Sequence, residues 1–120
     1  MDTYLEARRH VRYKVKAGML AALSVPGTLK VIVGQIINIS ENGLALRHKD
    51  GIKRSLAKAE LILMGHEQSE EPAFEVPVRL VYEQEQGEGY RSGFQFSELS
   101  QRQMSKLASF IQSNVESIAV

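Results

Sequence analysis

Three arginines fall within five residues near the start of the chain, Arg8, Arg9 and Arg12, and a second polar cluster, Asn38-x-Ser40-x-x-Gly43, follows the apolar run Val31 to Ile37. A guanidinium is planar, permanently charged and forked, so it grips an anion such as phosphate through two parallel hydrogen bonds. Asn38 offers an acceptor and donors and Ser40 a hydroxyl. Standing two apart, they project from one face if the segment is extended. Asn42-Gly43 predicts a tight two-residue hairpin turn with positive φ, and Gly43 leaves room for a flat group to approach the backbone. Alone, an arginine-rich terminus is a solvated tail and Asn and Ser are turn residues. Binding chemistry needs the two clusters to meet.

Other chemistry is poorly provided for. Cysteine is absent, which removes disulfides, thiol catalysis and thiolate metal sites together. His10, His48 and His66 lack metal-ligand spacing, so surface or polar-contact roles are expected of them and no metal is expected. Ser40 lacks a nucleophile-elbow context and has no histidine or acidic partner at triad spacing. The expectation is a binding protein, not an enzyme.

The elements that must position these residues are short. At 120 residues the chain suits one domain able to bury its own core. Its 15 basic and 14 acidic residues leave a formal charge of +1, but Arg8, Arg9, Arg12, Lys14 and Lys16 crowd the first segment while glutamates gather in later loops. A local cationic arm on a nearly neutral body suits a small anion better than a long polyanion or a membrane surface. No signal peptide and no apolar stretch near 18 residues is present, which predicts a cytoplasmic protein without membrane insertion.

Period-two alternation predicts strands from Tyr13 to Leu23, Leu29 to Ile37 with a bulge or bend at Gly34, Leu44 to Arg47, Ala59 to Met64, Phe74 to Tyr82 and Tyr90 to Phe96. Pro77 argues for an edge or a bulge in the fifth. The spacing then changes: Met104, Leu107, Ala108, Ile111, Val115 and Ile118 follow helical periodicity, and Ser100 with Gln103 forms a capping box flanked by a Leu99–Met104 staple. The reading is a mainly β protein, a six-stranded antiparallel split β-barrel with a C-terminal α-helix. Residues 1–12 form a flexible basic arm, 13–96 the barrel, and the helix lies within 100–118, running from about Gln101 to Glu116.

On that frame, Arg8-x-x-x-Arg12 before the first strand and Asn38-x-Ser40-x-x-Gly43 after the second resemble the paired signature of PilZ domains, bacterial receptors for cyclic di-GMP. Arg91-Ser-Gly-Phe-Gln-Phe, followed by a helix with Leu107 and Phe110-Ile111, is also similar to the end of that family, so the resemblance runs from about Glu6 to Ile111. It implies that Arg8 and Arg12 contact phosphate and guanine, that Arg9 assists, and that Asn38, Ser40 and Gly43 surround a base. It implies cyclic di-GMP as ligand, no further cofactor, an arm that orders on binding, and a signal to an unidentified downstream protein in motility, exopolysaccharide or biofilm control. The protein would act as a monomer or homodimer. Two alternatives remain: a nucleic-acid-binding barrel using the arm and Tyr13, disfavoured by the near-zero charge, and an interaction domain of the same fold that ignores nucleotide.

Overall fold

A computed structural model describes residues 11–25, 27–52, 59–65 and 72–118. Arg8, Arg9, His10, Pro26 and His66 lie outside the described residues. Alternating apolar residues become strands β1 (Tyr13–Val15), β2 (Leu20–Ser24), β3 (Val31–Ile39), β4 (Gly43–His48), β5 (Ala59–Gly65), β6 (Phe74–Gln86) and β7 (Gly89–Phe96). A helix α1 (Gln101–Asn114) and a last strand β8 (Val115–Ile118) follow. The sheet order is β2-β5-β6-β7-β4-β3-β1-β8, and a further β2–β3 pairing closes the first six of these into an antiparallel barrel. β1 and β8 continue the sheet outside the closure.

The expected first strand, Tyr13 to Leu23, is therefore two. Gly18, at φ 87°, turns the chain between them. β1 pairs with the C-terminal end of β3, at Asn38 and Ile39, while β2 pairs with its N-terminal half, Val31 to Gln35. One long strand thus carries both the barrel seam and the strand that Arg12 immediately precedes. Alternation reports burial, and burial resumes in phase after the turn at Met19, Ala21 and Leu23.

Gly34 is not the bulge in β3. It pairs regularly with Ala21 and with His48, and a Cβ there would stand 3.0 Å from the Arg47 carbonyl oxygen. The bulge falls at Ile37, where the register steps from Ile36 opposite Leu46 to Asn38 opposite Ala45. Pro77 lies in β6 past the last β6–β7 pair, Val78 with Phe96, and its carbonyl accepts from the Ser97 N–H. A residue without an N–H suits the place where a neighbouring strand has run out.

Inward residues of all six barrel strands, among them Leu23, Ile32, Leu44, Leu61, Val76 and Phe94, form the core. Each fully buried aliphatic side chain of this kind contributes about 1.5–3 kcal/mol. Helix α1 adds Leu107, Phe110 and Ile111, with Phe110 edge-on to Phe74 at 5.9 Å. Its capping box forms as expected: Ser100 Oγ accepts from the Gln103 N–H at 3.1 Å, and Gln103 Oε1 accepts from the Ser100 N–H at 2.9 Å. Met104 stays 51% exposed, so the staple with Leu99 is weak, and Leu99 packs on the core instead.

The helix ends at Asn114, not near Glu116 or 118. The Asn114 side chain donates to the Phe110 carbonyl at 2.8 Å, and the β-branched pair Val115 and Ile118 enters strand β8 beside β1. Among the described residues no helix is long and apolar enough to cross a membrane, and no group of three or more His, Cys, Asp or Glu could hold a metal ion.

Candidate functional site

Two cations project outward at the start of β1, Arg12 just before the strand and Lys14 within it. Tyr13 and Val15 pack toward the core while Arg12 and Lys14 are exposed, and Lys14 stands directly opposite Asn38. In β3, Ile32 and Ile36 face inward, so strict alternation would bury Asn38 as well. The extra residue Ile37 resets the phase, burying Ile39 and turning Asn38 to the outer face. There Arg12 Nη1 donates to Asn38 Oδ1 at 3.0 Å. A residue of the first motif and a residue of the second, 26 positions apart, are thereby in contact.

Ser40 has a different occupation. It does not share the exposed face of Asn38: it is 1% exposed, past the end of β3. Its Oγ accepts from the Asn42 N–H at 3.1 Å and the Gly43 N–H at 3.2 Å, and its own N–H donates to the Gly43 carbonyl at 2.8 Å. The hairpin tip is thus tied by a side chain. Neither Asn42 nor Gly43 takes the positive φ of the expected two-residue turn. Gly43 is required on other grounds, since a Cβ would lie 2.1 Å from the Phe94 carbonyl oxygen in β7. The close approach anticipated there is made by a neighbouring strand.

Beside Asn38 the outer face is low. Across the strands the register runs Lys14, Asn38, Ala45, Gly93 and Tyr82. Tyr82 belongs to this face only because of a second bulge, at Val81, which breaks the alternation that would have sent it inward with Val76 and Val78. Its ring lies over Gly93, three ring atoms being 2.8 Å from where a Cβ would be. Arg91, also outward, donates from Nε to the Tyr82 hydroxyl at 3.3 Å. At about 4.8 Å per strand, Gly93 lies roughly 10 Å from Asn38, so the small Ala45 separates an Arg12–Asn38 wall from a wall made by Arg91 and the Tyr82 ring seated on Gly93, and the low ground between the walls is a shallow basin.

In the sequence Arg91 stands out only as part of the family-like end segment, and unbroken alternation through Phe74, Val76 and Val78 would put Tyr82 on the apolar face. The signal for Tyr82 was Gly93 across the hairpin, the small residue that admits its ring. Glu83 takes the opposite face and accepts from the Ile52 N–H at 2.6 Å.

His48, expected to be a surface or polar-contact residue, is buried at 4% exposure. Its Nδ1 meets the Asp50 carbonyl at 2.8 Å and so carries the hydrogen, and its Nε2 meets Ser92 Oγ at 2.7 Å. It stacks on Tyr90 and serves the barrel wall. Tyr13, offered as a stacking residue for nucleic acid, packs against the core.

Comparison with known proteins agrees with the fold. No curated protein sequence matches the chain. The PilZ domain of YcgR from Escherichia coli, solved with c-di-GMP, superposes with a TM-score of 0.71 at 14% identity, over 88% of this chain and 89% of that one. The inhibitor of motility MotI/DgrA of Bacillus subtilis gives 0.67 at 19% identity, over 88% and 50%. MrkH from K. pneumonia, in its c-di-GMP complex, gives 0.63 at 19% identity, over 88% and 52%. The chain thus spans about half the length of the latter two. The family model described as PilZ domain matches residues 6–113, which takes in both polar motifs, every strand of the barrel and nearly all of α1, and the chain belongs to the PilZ domain family.

Proposed function

We propose that this chain is a receptor for cyclic di-GMP that binds the nucleotide on the outer face of the barrel and performs no reaction on it. The observation that carries the reading is the Arg12–Asn38 hydrogen bond, which joins the two motifs into one wall. YcgR and MrkH, two relatives in fold, were solved with this nucleotide, which supports the same ligand here. Asn38, with Oδ1 taken by Arg12, keeps its amide N–H groups for a base acceptor. Arg12 retains donors for phosphate or for the O6/N7 edge of guanine. The Tyr82 ring, flat on Gly93, offers a stacking surface for a purine. Ser40 and Gly43 serve the ligand by holding the tip in shape, and Arg8 and Arg9 add charge from the arm.

Charge-assisted hydrogen bonds contribute about 1.5–3 kcal/mol each, and micromolar affinity needs about 8 kcal/mol in all. A few arginine contacts with base stacking suffice after the cost of ordering the arm. The ordered arm then presents a changed surface to a downstream protein, in control of motility, exopolysaccharide or biofilm. Titration calorimetry of the wild type and of Arg8→Ala with Arg12→Ala tests the reading. The wild type should release heat and saturate, and the double variant should lose at least a hundredfold in affinity; a folded wild type giving no heat overturns it.

A further inference from the structure

One row beyond Asn38 the outer face holds an arrangement that the fold alone does not require. The register runs Gln35 in β3, Arg47 in β4, Arg91 in β7 and Gln84 in β6, each directly opposite the next. Two arginines side by side across strands repel, and like charges placed directly opposite are destabilising. Nothing in the row relieves them, since both flanking positions are glutamine and no carboxylate occupies it. Arg91 is held by the Tyr82 hydroxyl, and Arg47 is exposed with no hydrogen-bond or ion-pair partner among the described residues. Every member of the row can donate N–H groups. Arg47 also lines an open groove of about 380 Å³ with Leu20, Val33, Gln35, Lys49 and Glu88, where its charge and that of Lys49 outnumber the one carboxylate.

We infer that Arg47 and Arg91 form an anion subsite for a phosphodiester of bound cyclic di-GMP, extending the Arg12–Asn38 wall across the barrel face. The inference rests on the receptor reading above and adds to it which phosphate-binding residues lie outside the two motifs. Ala45, between Asn38 and Gly93 in the neighbouring row, carries only a methyl group. The phosphodiester is either the second one of the nucleotide seated at Asn38 or one from a second nucleotide stacked on the first.

The test is titration of cyclic di-GMP into the wild type, Arg47→Gln, Arg47→Lys and Arg12→Ala at low and high salt, with thermal unfolding of each ligand-free protein. Arg47→Gln should weaken binding about tenfold or more, the loss of one charge-assisted contact. Its salt dependence should become shallower, and its ligand-free unfolding temperature should hold or rise as the repulsion is lost. Arg47→Lys should recover only part of the affinity, because a point charge does not replace a fork. Unchanged stoichiometry with lower affinity assigns the phosphate to the first nucleotide; a fall from two to one assigns it to a second. The inference is overturned if Arg47→Gln binds within twofold of wild type with the same salt dependence while Arg12→Ala is impaired. A wild type that binds nothing overturns the receptor reading first, and this subsite with it.

Discussion

The hairpin tip and the basin next to it are built from the same sequence motif and behave oppositely. At the tip, Ser40 is buried, its hydroxyl is engaged by two backbone N–H groups, and Gly43 is pressed against β7. In the basin, Asn38 is half-exposed, Arg12 is exposed, and Arg47 has no partner among the described residues. The motif thus splits in two. Ser40 and Gly43 fix a shape, whereas Asn38 and its cations keep unspent hydrogen-bonding capacity for something else. Substitution at the tip should therefore act on stability first, and substitution in the basin on binding alone.

The largest effect should come from Gly43→Ala. A methyl group 2.1 Å from the Phe94 carbonyl oxygen has backbone in front of it, which cannot swing aside as a side chain can. The β4–β7 pairing would have to open locally, at a cost of about 3 kcal/mol. Thermal or urea unfolding should show that loss with or without nucleotide. A Gly43→Ala protein of wild-type stability and lost binding would move Gly43 from shape to ligand contact and erase the division.

Ser40→Ala should follow. It leaves the Asn42 and Gly43 N–H groups without their acceptor, the second of them buried, for a loss of about 1–2 kcal/mol. Amide exchange at those two positions should accelerate more than in the rest of β4 or in β7, since only the tip loses a partner. Wild-type exchange at Asn42 and Gly43 would show that the hydroxyl holds nothing there and is spare for a ligand.

How much of this was legible depends on what each feature answers to. The capping box at Ser100 and Gln103 is local, so four residues suffice to read it. The barrel strands were legible because burial alternates with period two. The bulges at Ile37 and Val81 were not, because a bulge is a property of a pair of strands, and nothing in β3 or β6 alone says that its partner falls one residue short. Each bulge reversed the facing of a residue that matters, Asn38 in one strand and Tyr82 in the other. The turn at Gly18 escaped for the opposite reason: the apolar positions resume on the same parity after it. Val115 and Ile118 fit the helical stripe of α1 as well as they fit a strand, and only the presence of β1 alongside decides for β8. At Gly43 the sequence shows that something comes close, but not that Phe94 of β7 is one of the groups that do.

The smallest and most discriminating effect belongs to Gly93→Ala. Its Cβ would meet the ring of Tyr82 at 2.8 Å, but a ring on an outer face can tilt away where a backbone carbonyl cannot. The same substitution that is severe at Gly43 should therefore cost less than about 1 kcal/mol in stability at Gly93. The displaced ring would lose its seat on the strand and its hydroxyl would draw away from Arg91 Nε. Affinity for cyclic di-GMP should then fall severalfold, and Tyr82→Ala should reproduce the fall without adding to it in the double variant, because both act through the same ring. Additive losses would mean that Gly93 and Tyr82 reach the ligand separately, and the basin would have a floor and a wall of independent function.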